Sequence, residues 1–127
     1  MSEVVFDTSI LIDHLRGVSH ASELIEKVSE GTTIGHISVI TISELFAGRD
    51  AGNERKRRLL EELVNLFNHV EISEAIAKSA GDIRRKYNSN LIDSLIAATA
   101  LNLNCKLLTK DFNNFRVIKE INIEDPY

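Results

Sequence analysis

The chain has 127 residues, a formal net charge of −4 and 43% hydrophobic residues. That is the size and apolar content of one compact domain with a real core, and it excludes an intrinsically disordered chain. A single cysteine, Cys105, excludes an internal disulfide and a cysteine zinc site and fits a reducing cytosol.

In chain order, "EVVFD" (Glu3–Asp7) reads as a short buried strand that stops at an acid. "TSILIDHLRG" has helical spacing and ends at Gly17. "HASELIEKVSEG" (His20–Gly31) is an amphipathic helix stopped by its glycine. "TTIGHIS" (Thr32–Ser38) is rich in β-branched residues and reads as a strand. "SVITISELFAGRDA" turns helical, with Ser38 as its N-cap. "NERKRRLLEELVNLFNH" (Asn53–His69) is a helix with Leu59, Leu60, Leu63, Leu66 and Phe67 on one stripe. "HVEIS" (His69–Ser73) is a strand, and "EAIAKSAGDIRRKY" (Glu74–Tyr87) a helix broken by "NSN". "NLIDSLIAATALNL" (Asn90–Leu103) is an apolar helix, "CKLLT" (Cys105–Thr109) a strand, "KDFNNF" a loop or short turn, and "RVIKEI" a last strand.

Glu3 and Asp7 interrupt the first apolar stretch, so no signal peptide is expected there. No uncharged apolar run is long enough for a bilayer. The expectation is a cytoplasmic protein forming a single domain over residues 1–127. Alternating strands and helices imply an α/β fold, with a parallel sheet covered on both faces by helices. Ligands in such sheets sit beyond the carboxyl ends of the strands.

Four carboxylates deserve comparison in that light. Asp7 closes the first strand; alone it reads as an N-cap. Glu44 is the only charge between His36 and Arg49; alone it reads as an acid at the core rim. Asp93 is the one charge in an apolar helix and shares its face with Ala97, Ala100 and Asn104. Alone it is an early-turn acid favoured by the helix dipole. Asp111 follows a strand and alone is a turn residue. Taken together, two acids after strands and two in low-charge helical surroundings can meet at one sheet edge. Four ionised carboxylates cannot share a pocket without a cation, and oxygen ligands select Mg²⁺ or Mn²⁺ over zinc. His14, His20, His36 and His69 lack metal-ligand spacing and read as structural. The basic runs "RKRR" (Arg55–Arg58) and "RRK" (Arg84–Lys86) leave two readings open, solvated helix faces or phosphate contacts.

"FDTSILID" around Asp7, "SVITISEL" with Ser38, Thr41 and Glu44, "IDSLIAATA" around Asp93 and "LLTKDFNNF" around Asp111 occur in one order along nearly the whole chain. In this the sequence resembles the PIN-domain proteins, and among them the VapC-type toxin ribonucleases of toxin–antitoxin systems. The resemblance implies a three-layer α/β/α sandwich around a mainly parallel sheet. It implies Mg²⁺- or Mn²⁺-dependent endonucleolytic cleavage of RNA, a cognate antitoxin, and often a homodimer. It places Asp7 and Asp93 on the principal metal, with Glu44 completing the site and Asp111 holding a second metal or orienting waters. Thr8, Ser9 and Thr109 become candidates for fixing the carboxylate rotamers. Arg49, Arg55, Arg57, Arg58, Arg84, Arg85 and Lys110 become candidates for holding the RNA backbone. Two departures stand out: Ser94 replaces the commoner alanine after the third acid, and the last motif carries Asp111 and Asn114 where many relatives carry asparagine first and aspartate later.

Three rival readings are weaker. A receiver-type signalling domain needs an acid pair at the first strand's end, and "VVFDTS" has one acid. A phosphohydrolase of the Asp-x-Asp kind needs an acid where Ser9 stands. A PIN-like scaffold that binds RNA or a protein without cutting would not need an intact acid set.

Overall fold

The computed structural model describes residues 2–127. Five parallel strands lie in the order β3-β2-β1-β4-β5. They are β1 (Ser2–Phe6), β2 (Thr33–Ser38), β3 (Asn68–Val70), β4 (Lys106–Leu108) and β5 (Ile123–Glu124). Helices α1 (Thr8–Leu15), α2 (Ser19–Glu30), α3 (Val39–Phe46) and α4 (Glu54–Val64) cover one face. There Val4, Phe6, Ile37 and Leu108 of the sheet meet Ile10, Leu11, Ile25, Leu45 and Leu60. Helices α5 (Glu74–Tyr87), α6 (Leu91–Leu103) and α7 (Phe112–Phe115) cover the other, where Val5 and Leu107 meet Ile83, Ile96 and Phe115. The result is the expected three-layer sandwich. The alternation of Val4 and Phe6 against Val5 is the period-two strand pattern serving two cores at once.

The local signals explain most element boundaries. Ser38 caps α3, accepting a bond from the Ile40 amide at 3.1 Å. Ser73 caps α5 in the same manner. Gly31 ends α2 at φ 82°, and Asn88 and Asn104 end α5 and α6 at φ 55° and 53°, in the left-handed region that asparagine tolerates.

Four expectations need correction. The helix begun at Ser38 stops at Phe46, and Arg49–Gly52 forms a separate 3-10 turn, because Gly48 adopts an extended conformation there. The helix expected to reach His69 ends at Val64, since Asn68–Val70 is drawn into the sheet beside β2. Its stripe divides: Leu60, Leu63 and Phe67 are buried, while Leu59 and Leu66 are exposed. Finally, "RVIKEI" is a run of turns in which Ile118 and Ile121 plug the second core. The last strand is Ile123–Glu124, pairing with Leu107 and Leu108.

Among the described residues, no helix is long and apolar enough to cross a membrane. Packing is tight where β2 meets the segment after α4. A Cβ on Gly35 would lie 2.8 Å from Phe67 Cδ2, and the Phe67 ring is itself pinned edge-on to Phe6 at 5.1 Å. Gly35→Ala is therefore expected to lose about 1–3 kcal/mol of stability through overpacking. Urea denaturation checks this, with a lower midpoint at an unchanged slope.

Candidate active site at the carboxyl edge of the sheet

The chain winds outward from β1 in both directions, so the strand order reverses between β1 and β4. In an open α/β sheet this is where a crevice forms beyond the strand ends. Asp7 leaves the end of β1, and its amide is held by the Leu108 carbonyl at 2.9 Å. Thr109–Asp111 leaves the end of β4. Glu44 arrives on α3 and Asp93 on the first turn of α6. The sheet edge sought from the sequence is the one on which these four elements converge.

Asp7 is buried and occupies the N-cap position of α1, yet its side chain makes no capping bond. It turns instead to two hydroxyls. Thr109 Oγ1 and Ser9 Oγ each donate to Asp7 Oδ2 at 2.7 Å. The same hydroxyls accept from the loop that carries the fourth acid, Thr109 from the Asp111 amide at 2.8 Å and Ser9 from the Lys110 amide at 3.1 Å. Thr109 is fully buried and so ties Asp7 to Asp111 in a fixed geometry. Glu44 is held by Thr8, whose hydroxyl donates to Oε1 at 2.5 Å while lying 3.0 Å from the Thr41 hydroxyl.

Asp93 is half-buried and gripped from both sides by the N-cap Asn90. The Asn90 side-chain oxygen Oδ1 accepts from the Asp93 backbone amide at 2.8 Å, and the Asn90 side-chain amide donates to Asp93 Oδ2 at 2.9 Å. Asp111 is held by the Asn114 amide at 2.8 Å. Ser94 is buried but satisfied: it donates to the Asn90 carbonyl at 2.7 Å and sits 2.6 Å from the Ser89 hydroxyl.

The electrostatics of this edge are one-sided. Among the described residues, no Lys, Arg or His nitrogen comes within 4.0 Å of any of the four carboxylates. Burial pushes the Asp7 carboxyl above its ordinary value; the Thr109 and Ser9 hydroxyls oppose this, and the charge of Asp111 adds to it. Burial also raises Asp93, opposed by Asn90 and reinforced by the charges of Asp7, Asp111 and Glu44. Asp93 thus feels the charges of the other three acids, and Asp7 that of Asp111. Among the described residues, no three of the four have oxygens all within 4.8 Å of each other. A set of oxygen donors with no protein cation suits a hard divalent ion.

The basic residues fare unequally. Arg49 and Arg16 line a cleft of about 340 Å³ with Glu44. Arg16, at the end of α1, escaped the sequence reading because nothing in its spacing ties it to Glu44. Arg55, Arg58 and Arg84 are exposed on α4 and α5. Arg57 lies over the Phe46 ring at 4.9 Å and bonds the Ala51 carbonyl, and Arg85 pairs with Asp82. Lys110 is held by Asp125 at 2.5 Å and by the Tyr127 carbonyl. Asn90, Asn114 and Thr41 were also missed as site partners. For Asn90 a signal existed, an N-cap residue three before an acid.

The sheet order rules against the receiver reading, since receivers place their strands 2-1-3-4-5 and here β3 is an edge strand. The PIN-domain family model matches residues 4–121. The chain is 31% identical to "Ribonuclease VapC19" of Mycobacterium tuberculosis, over 97% of this chain and 98% of that protein. It is 32% identical to "Ribonuclease VapC2" of Methanocaldococcus jannaschii, over 77% and 76%. Among solved structures it is similar to a "Toxin-antitoxin complex from Klebsiella pneumoniae", with a TM-score of 0.81, 29% identity and 98% of each chain covered. With its acids gathered where the strand order reverses, the chain belongs to the PIN-domain family, in the company of the VapC ribonucleases.

Proposed function

We propose that the protein is a divalent-metal-dependent endoribonuclease, the toxin of a toxin–antitoxin pair, acting in the cytoplasm as one domain spanning residues 1–127. The observation that carries this is the convergence of Asp7, Glu44, Asp93 and Asp111 without a protein cation. The similarity to proteins named as VapC ribonucleases and to a toxin–antitoxin complex supports the substrate class and the antitoxin partner. Mg²⁺ or Mn²⁺ is the cation the donor set suits.

Asp7 and Asp93 hold the principal cation, Glu44 completes the site, and Asp111 holds a second cation or orients water. A bound divalent ion supplies positive charge for the phosphate and makes water a stronger acid. The protein's own part is positional. Thr109 and Ser9 lock the Asp7 rotamer, Thr8 that of Glu44, and Asn90 that of Asp93. Arg16 and Arg49, sharing a cleft with Glu44, are placed to neutralise RNA phosphates, with Arg55, Arg58 and Arg84 farther out. Exposed Leu15, Leu59 and Leu66 leave an apolar surface that a homodimer would cover. A homodimer is expected by light scattering at high micromolar concentration; a monomer under those conditions removes that part of the reading.

Asp93→Asn separates a metal site from a structural acid. Cleavage of single-stranded and structured RNA in Mn²⁺ is expected to fall by about 100-fold or more, since even supporting residues of metal sites cost 10–100-fold. Stability behaves oppositely. The Asp93 pKa is raised above 3.8 in the fold. Between that value and the raised one, the folded state keeps a proton that the unfolded chain has lost, so stability falls as pH rises through the window. At neutral pH in EDTA the variant should therefore melt at or above the parent, with the gap closing as the pH approaches about 4. A variant that melts far below the parent yet still cuts RNA would sink the assignment.

Thr109→Val keeps the shape and removes the hydroxyl shared by Asp7 and the Asp111 amide. The expected cost is about 1–3 kcal/mol of stability, from the buried partners left unpaired. Cleavage should drop by about 10–100-fold. Thr109→Ser should restore most of both, as read by paired melting and cleavage assays.

A further inference from the structure

Two to four residues back from the acid edge along the same sheet lies a second group of metal-ligating atoms. We propose that Glu3, His36 and Cys105 form a binding site for a borderline transition-metal cation, Zn²⁺ being the ion that their oxygen, nitrogen and sulfur donors suit. One ligand atom from each lies within 4.8 Å of the other two, and among the described residues no other three His, Cys, Asp or Glu side chains meet this closely.

Sheet register builds the group. In the parallel pairing of β1 with β2, Val5 stands beside His36. In the pairing of β1 with β4, Val4 stands beside Lys106, so Cys105 falls beside Glu3. Glu3 is two residues before Val5 and Cys105 two before Leu107, and Val5 and Leu107 both enter the second core. The three side chains therefore emerge on one face of three adjacent strands. Glu3 precedes Asp7 by four residues, about 13 Å of strand, and His36 stands beside Val5, two residues and about 7 Å before Asp7.

The donor chemistry also differs from that edge. His36 is buried, and its Nε2 is already aimed at Glu3 Oε1 at 2.7 Å. That pair alone would satisfy a buried imidazole. The Cys105 thiol donates to the Leu103 carbonyl at 3.5 Å, and it would join the pair as a thiolate by releasing that proton when a metal binds. Zinc bonds of about 2.0–2.3 Å put tetrahedral ligands roughly 3.3–3.8 Å apart. The Glu3–His36 pair, at 2.7 Å, must open by about 0.6 Å, which the half-exposed side chain of Glu3 can supply, and ligand atoms within 4.8 Å of one another need close by no more than about 1–1.5 Å. Three protein ligands leave a fourth position for water. Such an ion would tie β1, β2 and β4 together on the face covered by α5 and α6.

Cobalt(II) titration of the full chain, with excess Mg²⁺ present to occupy the acid edge, tests the proposal. Because Cys105 is the only cysteine, a thiolate-to-cobalt charge-transfer band reports on this site alone. The band is expected to saturate at one Co²⁺ per chain and to be bleached by Zn²⁺. It should vanish in Cys105→Ser, weaken at least about tenfold in apparent affinity in His36→Gln, and persist in Asp93→Asn. Zn²⁺ should raise the melting temperature of Asp93→Asn but not of the Asp93→Asn, Cys105→Ser double variant. Cobalt absorption without thiolate charge transfer, or equal zinc stabilisation of the single and double variants, overturns the proposal.

Discussion

Four carboxylates brought to one sheet edge without a protein cation set the terms for the rest of this fold. Ionising a buried acid such as Asp7 is opposed by desolvation and by the charge of Asp111. The protein answers with dipoles rather than with counter-charges. Two hydroxyls converge on one Asp7 oxygen, a third reaches Glu44, and an amide holds Asp93. These groups keep the acids in place and leave their net negative charge unspent. A lysine or arginine in the same position would neutralise the edge and remove its demand for an external ion.

Thr109 connects this edge to the sheet. It is the residue after β4, fully buried, with its hydroxyl donating to Asp7 and accepting from the Asp111 amide. Asp7 in turn hangs its amide on β4 through the Leu108 carbonyl. The loops after the two central strands are thus bound to each other by backbone and side chain together. Placement of two acids follows from strand pairing, and the other two ride on helices whose caps are part of the site. Asn90 both starts α6 and grips Asp93.

Charge and donor type are sorted across the molecule. Oxygen donors lie at the carboxyl edge, and a mixed oxygen, nitrogen and sulfur group lies two to four residues back along the sheet. Basic residues lie on helices of both faces, and Arg16 and Arg49 reach the rim of the acid edge. Some remain unpaired, as with Arg49 and Arg16 beside Glu44, while Lys110 is fastened to Asp125 and the terminal carbonyl. A phosphate polymer can be drawn to such a rim without the cations collapsing onto the acids.

By itself the sequence determined the parallel α/β class, because strand and helix periods alternate and carry their own stops at Gly31, Asn88 and Asn104. It also singled out the four acids as a candidate group, because a charge such as Asp93 inside an apolar helix demands a partner. Boundaries failed where local signals were overruled. The helical spacing ran on to His69, but Asn68–Val70 gained more by pairing with β2. The β-branched look of "RVIKEI" gave way to turns that bury Ile118 and Ile121. Tertiary structure alone decided which basic residues stay free and which face of α4 is covered. It alone set Cys105 beside Glu3 and His36, which the single cysteine and the scattered histidines did not foretell. The reason is physical: hydrophobic period and capping are local properties of a few neighbouring residues. Strand register, by contrast, joins residues as distant as 3, 36 and 105 only after the sheet has formed.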